Sequence, residues 1–358
     1  MVDPTLPLPG LSSVAGKEIA ARFDGGRLSS DGGLLVLREI EQRLKVAERL
    51  AACIDDPRDP ASTVHTITDI IRFRLLMIAA GYEDGNDADA LRADPLFKIA
   101  LERLPSGRDL CSRSTISRLE NLPEKRTLIR LARALVDLYC TSFRQVPRRI
   151  PLDIDDTFDA VHGGQQLRLF NAHCDEYGFQ PIVVFDGDGR FVTALLRPAK
   201  RPRGIEIRAF LRRAIRANWP KTEILVRADS HYACPEVLDW CETNGLDYVL
   251  GLAPTRTLRR HIAGLEASTL ARFKADSSAT KVRRFRELHD AAGSWSRVRR
   301  IVARLEAGDQ GTDTRFIVTN LGHSDGRSLY QDLYRRRGQA ENHVKAWKTH
   351  LAADRTSC

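Results

Sequence analysis

The spacing of apolar residues changes character twice along the chain. From Leu34 to Cys53, from Thr66 to Ala80 and from Thr127 to Cys140 it recurs every three or four residues, the period of amphipathic helices. Leu128, Leu131, Leu135 and Leu138 mark the third of these. Acidic, glycine-bearing segments such as Glu83-Asp84-Gly85-Asn86-Asp87 separate them, and Phe23-Asp24-Gly25-Gly26 and Ser30-Asp31-Gly32-Gly33 have turn chemistry. Residues 1–148 therefore read as a helical domain. Within it, Ser112–Asn121 forms a short helix carrying Arg113, Ser114, Thr115, Arg118 and Asn121. That composition suits a capped surface helix, with the second helix of a helix-turn-helix as the alternative.

At Ile150 the period shortens to that of strands. Ile150-Pro151-Leu152-Asp153-Ile154-Asp155 alternates apolar and acidic residues, and Pro181–Phe185 is continuously apolar after its proline. Asp186-Gly187-Asp188-Gly189 is a hairpin turn into a partner strand at Phe191–Leu196. A helix over Gly204–Ala217, a strand over Glu223–Ala228, a helix over Pro235–Thr243 and a strand over Tyr248–Leu252 follow. The order predicts a three-stranded meander continued by parallel crossovers, an α/β mixed sheet. Two strands end in aspartates, with Asp155 closing the first and Asp229 following the fourth. Open α/β sheets tend to place sites at such ends.

From Thr255 to His323 a helix opened by Arg256, Arg259 and Arg260 leads into strands at Lys281–Leu288, Trp295–Leu305 and Arg315–Thr319. This is a β-rich insertion with one basic face. Lys281, Arg283, Arg297 and Arg299 on that face suit a phosphate track, or simply a solvated surface. The domain boundaries are thus 1–148, 149–253, 254–323 and 324–358. In the last segment, placed on a helix at about 100° per residue, Leu329, Leu333, Ala340, Val344, Trp347 and Leu351 share an arc of roughly 60°. Tyr334, Arg337, Glu341 and Lys348 share a second. Such a face is either a solvated Arg337–Glu341 pair or one edge of a site. Asp155 and Asp229 provide carboxylates that Glu341 can join around a metal.

Composition sharpens this picture. The chain has 358 residues, 42% of them hydrophobic, and a net charge of +9, which favours a polyanionic partner. Its seven cysteines are scattered and include no CxxC pair, arguing against a zinc ribbon or disulfide framework and for a reducing cytoplasm. There is no signal-peptide pattern and no apolar run of about 18 residues, so no membrane partner is expected.

With these residues in place, the chain resembles the DDE transposases of bacterial insertion sequences, specifically the insertion-sequence family numbered 1380. That family lies in the group with a Tyr-(2)-Arg-(3)-Glu-(6)-Lys signature, matched by Tyr334, Arg337, Glu341 and Lys348. Leu152–Thr157 resembles the first-aspartate motif, with its Asp-x-Thr at Asp155, Asp156 and Thr157; Asp153 is the alternative first carboxylate. Val226–Tyr232 resembles the second motif, and Asp31–Leu35 an N-terminal one. The resemblance implies a ribonuclease H-like core, with Asp155, Asp229 and Glu341 as catalytic residues and ligands of two magnesium ions, manganese substituting. It implies that Tyr334, Arg337 and Lys348 hold DNA phosphates. The implied partners are double-stranded DNA, as terminal inverted repeats and target, and a second copy in a homodimer on DNA, in the cytoplasm at the nucleoid. Relatives usually continue beyond the helix of Glu341, which implies a truncated chain. Cutting and rejoining of DNA is the leading expectation. A nuclease without strand transfer and an inactive DNA-binding remnant are the alternatives.

Overall fold

Residues 6–22, 28–161, 163–165, 167–200, 202–214 and 219–354 are described by the computed structural model. They fall into two compact units. The first comprises Met1–Leu138, Asp159–Gln166 and Ala346–Cys358, and the second Tyr139–Phe158 and Leu167–Lys345. The expected turn at 23–26 lies outside the described residues.

In the first unit the longer helices before the sheet are α1 (Leu34–Leu44), α2 (Val46–Ala51), α3 (Ile67–Ala79), α4 (Pro95–Ala100), α5 (Arg113–Glu120) and most of α6 (Lys125–Thr141). The helix expected across Leu34–Cys53 is two helices, because Lys45 takes a left-handed conformation at φ 53°. The break costs little: the Glu41 carboxylate accepts from the amides of Val46 and Ala47, both at 3.0 Å, satisfying donors a new helix start leaves orphaned. Thr66 caps α3 by accepting from Asp69 N at 3.0 Å. Phe73, Met77, Phe97, Leu110 and Ile116 are buried together, with the Phe73 and Phe97 rings edge-on at 5.6 Å. Ile116 turns α5 into this core and leaves Ser114 and Arg118 exposed on its outer face.

The second unit is built on one eight-stranded sheet. Its strands are β1 (Arg149–Asp156), β2 (Ile182–Asp186), β3 (Phe191–Leu195), β4 (Glu223–Ala228), β5 (Asp247–Leu252), β6 (Lys281–Asp290), β7 (Arg299–Gly308) and β8 (Gly311–Thr319). Their spatial order is β6-β7-β8-β5-β4-β1-β2-β3. β1, β4 and β5 are parallel to one another, while β2 runs antiparallel to β1 and β3 antiparallel to β2, so that β3 again runs in the direction of β1. This is the strand order and direction of a ribonuclease H-like sheet. The strands buried on both sides read as apolar runs, such as Val183–Phe185 and Ile224–Val226. Helices α7 (Gly204–Ala214), α8 (Pro235–Thr243) and α9 (Arg256–Ala275) complete the crossovers. The expected final turn of α7, residues 215–217, falls outside the described residues.

The strands of 254–323 do not form a sheet of their own. β8 pairs with β5 along Val249–Leu252, extending the core sheet and covering an edge that would otherwise stand open. The strand expected from Trp295 begins only at Arg299. The basic face is largely neutralised: Lys281 and Arg283 reach Glu306 at 2.5 and 2.7 Å, and Arg297 and Arg299 reach Glu242 at 3.2 and 2.8 Å. Every arginine and lysine proposed for a phosphate track therefore already has a carboxylate.

Burial alone would raise the pKa of Glu306, but Lys281, Arg283 and Arg304 override it and hold it at about 2, against an ordinary 4.5. A depressed carboxylate contributes stability that is full above its unfolded value and lost as pH falls through the folded one. Glu306→Gln should therefore lower the urea midpoint at pH 7, and its deficit relative to the parent should shrink as pH drops from 4.5 towards 2. Urea unfolding across that range measures it.

Candidate active site at the carboxyl ends of β1 and β4

β1 carries Asp153, Asp155 and Asp156 in sequence, and pleating separates their roles. Asp153 sits opposite Arg227 of β4 in the parallel register. Its oxygens accept from Arg227 Nε and Nη2 at 2.6 and 2.8 Å, and both side chains are buried. Nη1 of the same guanidinium donates to the carbonyl of Leu333 at 2.9 Å. Asp156 is equally committed. It accepts from Tyr232 Oη at 3.2 Å and from the Gln180 side chain, and it lies 2.5 Å from His231 Nε2.

Asp155 has a different environment. Its side chain is 13% exposed, and its one side-chain partner among the described residues is Arg337, whose Nη1 lies 3.4 Å from Oδ2. Burial pushes its pKa up to about 6; Arg337 and the Asp156 amide oppose the rise, while Asp156 and Asp229 add to it. Asp229 follows β4 and caps a short turn by accepting from His231 N at 3.1 Å. Its Oδ1 lies 2.6 Å from His231 Nδ1. Burial would raise the Asp229 carboxyl, but the hydrogen bonds and charge of His231 hold it below its usual value. Burial likewise works against protonation of His231, and the carboxylates of Asp156 and Asp229 overcome it, raising the imidazole to about 9. Asp156, His231 and Asp229 thus form a continuous chain.

The segment bearing Glu341 is not one α-helix. Leu329–Tyr334 is a π-turn, Arg335–Arg337 a 3₁₀ turn, and the α-helix α10 runs from Gly338 to Leu351. A π-turn takes more residues per turn than an α-helix and a 3₁₀ turn fewer, so their phase errors partly cancel. Leu329, Tyr330 and Ala340 remain buried, whereas Val344 and Trp347 are half-buried and Leu351 is exposed. The π-turn is anchored because Leu329 and Tyr330 pack with Leu225, Val249, Val302 and Ile317. Arg227 then takes up the Leu333 carbonyl within it.

Glu341 lies in the first turn of α10, where a carboxylate is favoured by the helix dipole. Arg337 Nη2 is 3.2 Å from Glu341 Oε1, so one guanidinium joins Asp155 to Glu341. The charge of Asp229 also acts on Arg337, and Arg337 lies 5.8 Å from the Tyr334 ring centroid. The Tyr334 hydroxyl packs over Gly251 of β5: a Cβ there would lie 2.7 Å from Oη and 2.9 Å from Ser230 N. Glycine is what lets β5 pass beneath both the tyrosine and the Asp229 turn. Lys348 belongs to the first unit, where its ammonium is 3.1 Å from Asp159 and 3.8 Å from Asp354.

Of the six residues singled out from sequence, Asp155 and Glu341 each contact Arg337, Tyr334 lies beside Arg337, and the charge of Asp229 acts on it. Arg227, His231, Tyr232, Gln180 and Gly251 were missed. His231 and Tyr232 stand inside the second-aspartate motif, so their position was a signal. Nothing local marks Arg227 as the partner of a residue 74 positions away.

Among the described residues, no three His, Cys, Asp or Glu side chains converge tightly enough to hold one ion. The donor chemistry nevertheless fits a hard divalent cation, since Asp155, Asp229 and Glu341 offer only carboxylate oxygens. The raised pKa of Asp155 comes chiefly from its burial, which Arg337 only partly offsets.

Fold and site together define an α/β protein with a carboxylate–arginine centre at the strand ends of a ribonuclease H-like sheet. The family model described as transposase DDE domain group 1 matches residues 11–358, and the chain belongs to that family, whose members are enzymes of the transposase type. Among solved structures, it is similar to the piggyBac transposase in a synaptic complex with hairpin DNA, at 12% identity over 89% of this chain and 68% of that one, with a TM-score of 0.43. It is also similar to the NurA nuclease from Sulfolobus solfataricus, at 10% identity over 68% of this chain and 99% of that one, with a TM-score of 0.27. No curated protein sequence matches. No helix among the described residues is long and apolar enough to cross a membrane.

The two β1 aspartates should differ in how much stability depends on their partners. Asp155 has a folded pKa above its ordinary 3.8, so the protein loses stability as pH rises from there through about 6. Asp155→Asn should be more stable than the parent at pH 7 and equal to it near pH 4, by chemical denaturation. Arg227→Met, which strands Asp153 in the core, should cost about 3–5 kcal/mol in the same measurement, and adding Asp153→Leu should recover part of the loss.

Proposed function

We propose that this protein is a transposase that cuts and rejoins DNA at the ends of an insertion sequence, with Asp155, Asp229 and Glu341 as its catalytic carboxylates. The observation that carries the proposal is Arg337, which joins Asp155 to Glu341 within the field of Asp229, in a chain of the DDE family. The commitment of Asp153 to Arg227 supports Asp155 as the first carboxylate. Magnesium ions, two by the family pattern and replaceable by manganese, would supply Lewis acidity and an activated water for in-line displacement at phosphorus.

The protein's own groups do the rest. The carboxylates of Asp155, Asp229 and Glu341 would hold the cations. Arg337, released from its two carboxylates, turns its planar fork to a DNA phosphate. Tyr334 keeps that guanidinium against its ring. Lys348 contacts phosphate on the strength of the signature it completes. His231, gripped by Asp156, fixes the orientation of Asp229. The partners are double-stranded DNA, as terminal repeats and target, and a second copy of the chain on that DNA. The piggyBac structure, solved with hairpin DNA, is in keeping with such a partner.

The test is cleavage and strand transfer on DNA carrying the flanking inverted repeats, with magnesium, comparing the parent with Glu341→Ala. Both activities should fall about 100-fold or more, as for loss of a metal-site residue. Equal activity in the two proteins would sink the catalytic assignment. Cleavage without joined product would reduce the function to that of a nuclease, and end binding without cleavage to that of a DNA-binding remnant.

A further inference from the structure

The first unit contains a cavity of about 810 Å³, lined only by residues between Pro57 and Leu122 and so separate from the carboxylate centre. Four arginines face it: Arg58, Arg92, Arg108 and Arg118. Arg58 is satisfied, since Asp56 takes its Nε and Nη2, each at 2.7 Å. The other three are not. The nearest carboxylate oxygen to Arg92, on Asp109, is 4.0 Å away, and Asp109 already meets Lys98 at 2.9 Å. Nε of Arg92 is buried and has no hydrogen-bond partner among the described residues. Among the described residues, Arg118 donates only to the Ser114 carbonyl and Thr115 Oγ1, at 3.1 and 3.3 Å. Arg108 makes no ion pair among the described residues. Asp59, the other carboxylate on the wall, is engaged by the amide of Ala61 and the hydroxyl of Ser62.

Three under-compensated guanidiniums around one cavity call for an anion, and a phosphate monoester brings nearly two charges with oxygens spaced for the arginine fork. His65, also on the wall, reports the same field: burial, aided by Arg103, Arg108 and Arg92 and opposed by Asp69, holds it below its ordinary pKa. Ile67, Ile70, Leu119 and Leu122 supply an apolar surface beside the cations. The volume lies within the range of small-ligand sites and is too small for a duplex. An apolar surface next to a phosphate cradle suits a planar base carrying its phosphate.

We propose that this cavity binds a single nucleotide unit, its phosphate held by Arg92, Arg108 and Arg118 and its base resting on the apolar wall. The nucleotide can come free or as an unpaired residue of a DNA strand. The site does not depend on the carboxylate centre.

The test is calorimetric titration of the full chain, in chelator to exclude metal-bridged binding, with each of the four deoxynucleoside 5′-monophosphates. Inorganic phosphate and the unphosphorylated nucleosides serve as partial ligands. At least one monophosphate should bind, more tightly than either of its halves. Arg108→Ala combined with Arg118→Ala, both exposed and therefore tolerated by the fold, should weaken it at least about tenfold. Glu341→Ala should bind like the parent, which keeps this result separate from any failure of the transposase reading. A short single-stranded oligonucleotide that displaces the monophosphate, and loses affinity in the double variant, identifies the strand as the source. One that does neither identifies the free nucleotide. No monophosphate binding at millimolar concentration, or unchanged affinity in the double variant, overturns the proposal.

Discussion

The buried Asp153–Arg227 pair ties together the elements on which the candidate active site depends. It joins the two central parallel strands, β1 and β4, at their registered positions, and its third arm holds the Leu333 carbonyl in the π-turn ahead of Glu341. Breaking a buried ion pair leaves a stranded charge, which is strongly unfavourable. The register that puts Asp155 and Asp229 at neighbouring strand ends is thereby protected, and so is the approach of the helix that carries Glu341.

Around that anchor the acidic groups divide by how completely they are satisfied. Asp153 and Asp156 are saturated with partners and serve the structure. Asp155 is half-buried with one long side-chain contact, and its side chain and those of Asp229 and Glu341 are progressively more exposed, at 13%, 36% and 53%. A carboxylate held in a buried place without adequate charge compensation is unfavourable for folding, and such strain concentrates where chemistry is done. Arg337 supplies partial compensation to two of the three at once.

The helical first unit follows a different logic. Its core of Phe73, Met77 and Phe97 is conventional, yet its arginines are unevenly compensated. Arg38 is almost wholly buried and saturated by Glu39, Glu102 and two backbone carbonyls, whereas Arg92, Arg108 and Arg118 face a cavity without such closure. The same residue type is structural in one place and available in another, and only the count of partners separates the two.

Much of this was legible in the sequence. Apolar spacing is a local property, so it marked α3, α6 and the five strands β1 to β5 near their observed bounds. The motif spacing singled out Asp155, Asp229, Arg337 and Glu341 as candidates, and Arg337 does contact Asp155 and Glu341. What depended on distant partners was not legible. Lys281, Arg283, Arg297 and Arg299 read as a free basic face because their carboxylates, Glu306 and Glu242, are brought beside them only by folding. The commitment of Asp153 to Arg227 depends on a partner from another strand, and the joining of β8 to β5 on a sheet edge that exists only once the sheet is built. Periodicity tells a residue which way to face. Only the tertiary structure decides what it meets there, because ion pairing and strand pairing depend on distances in space that sequence separation does not set.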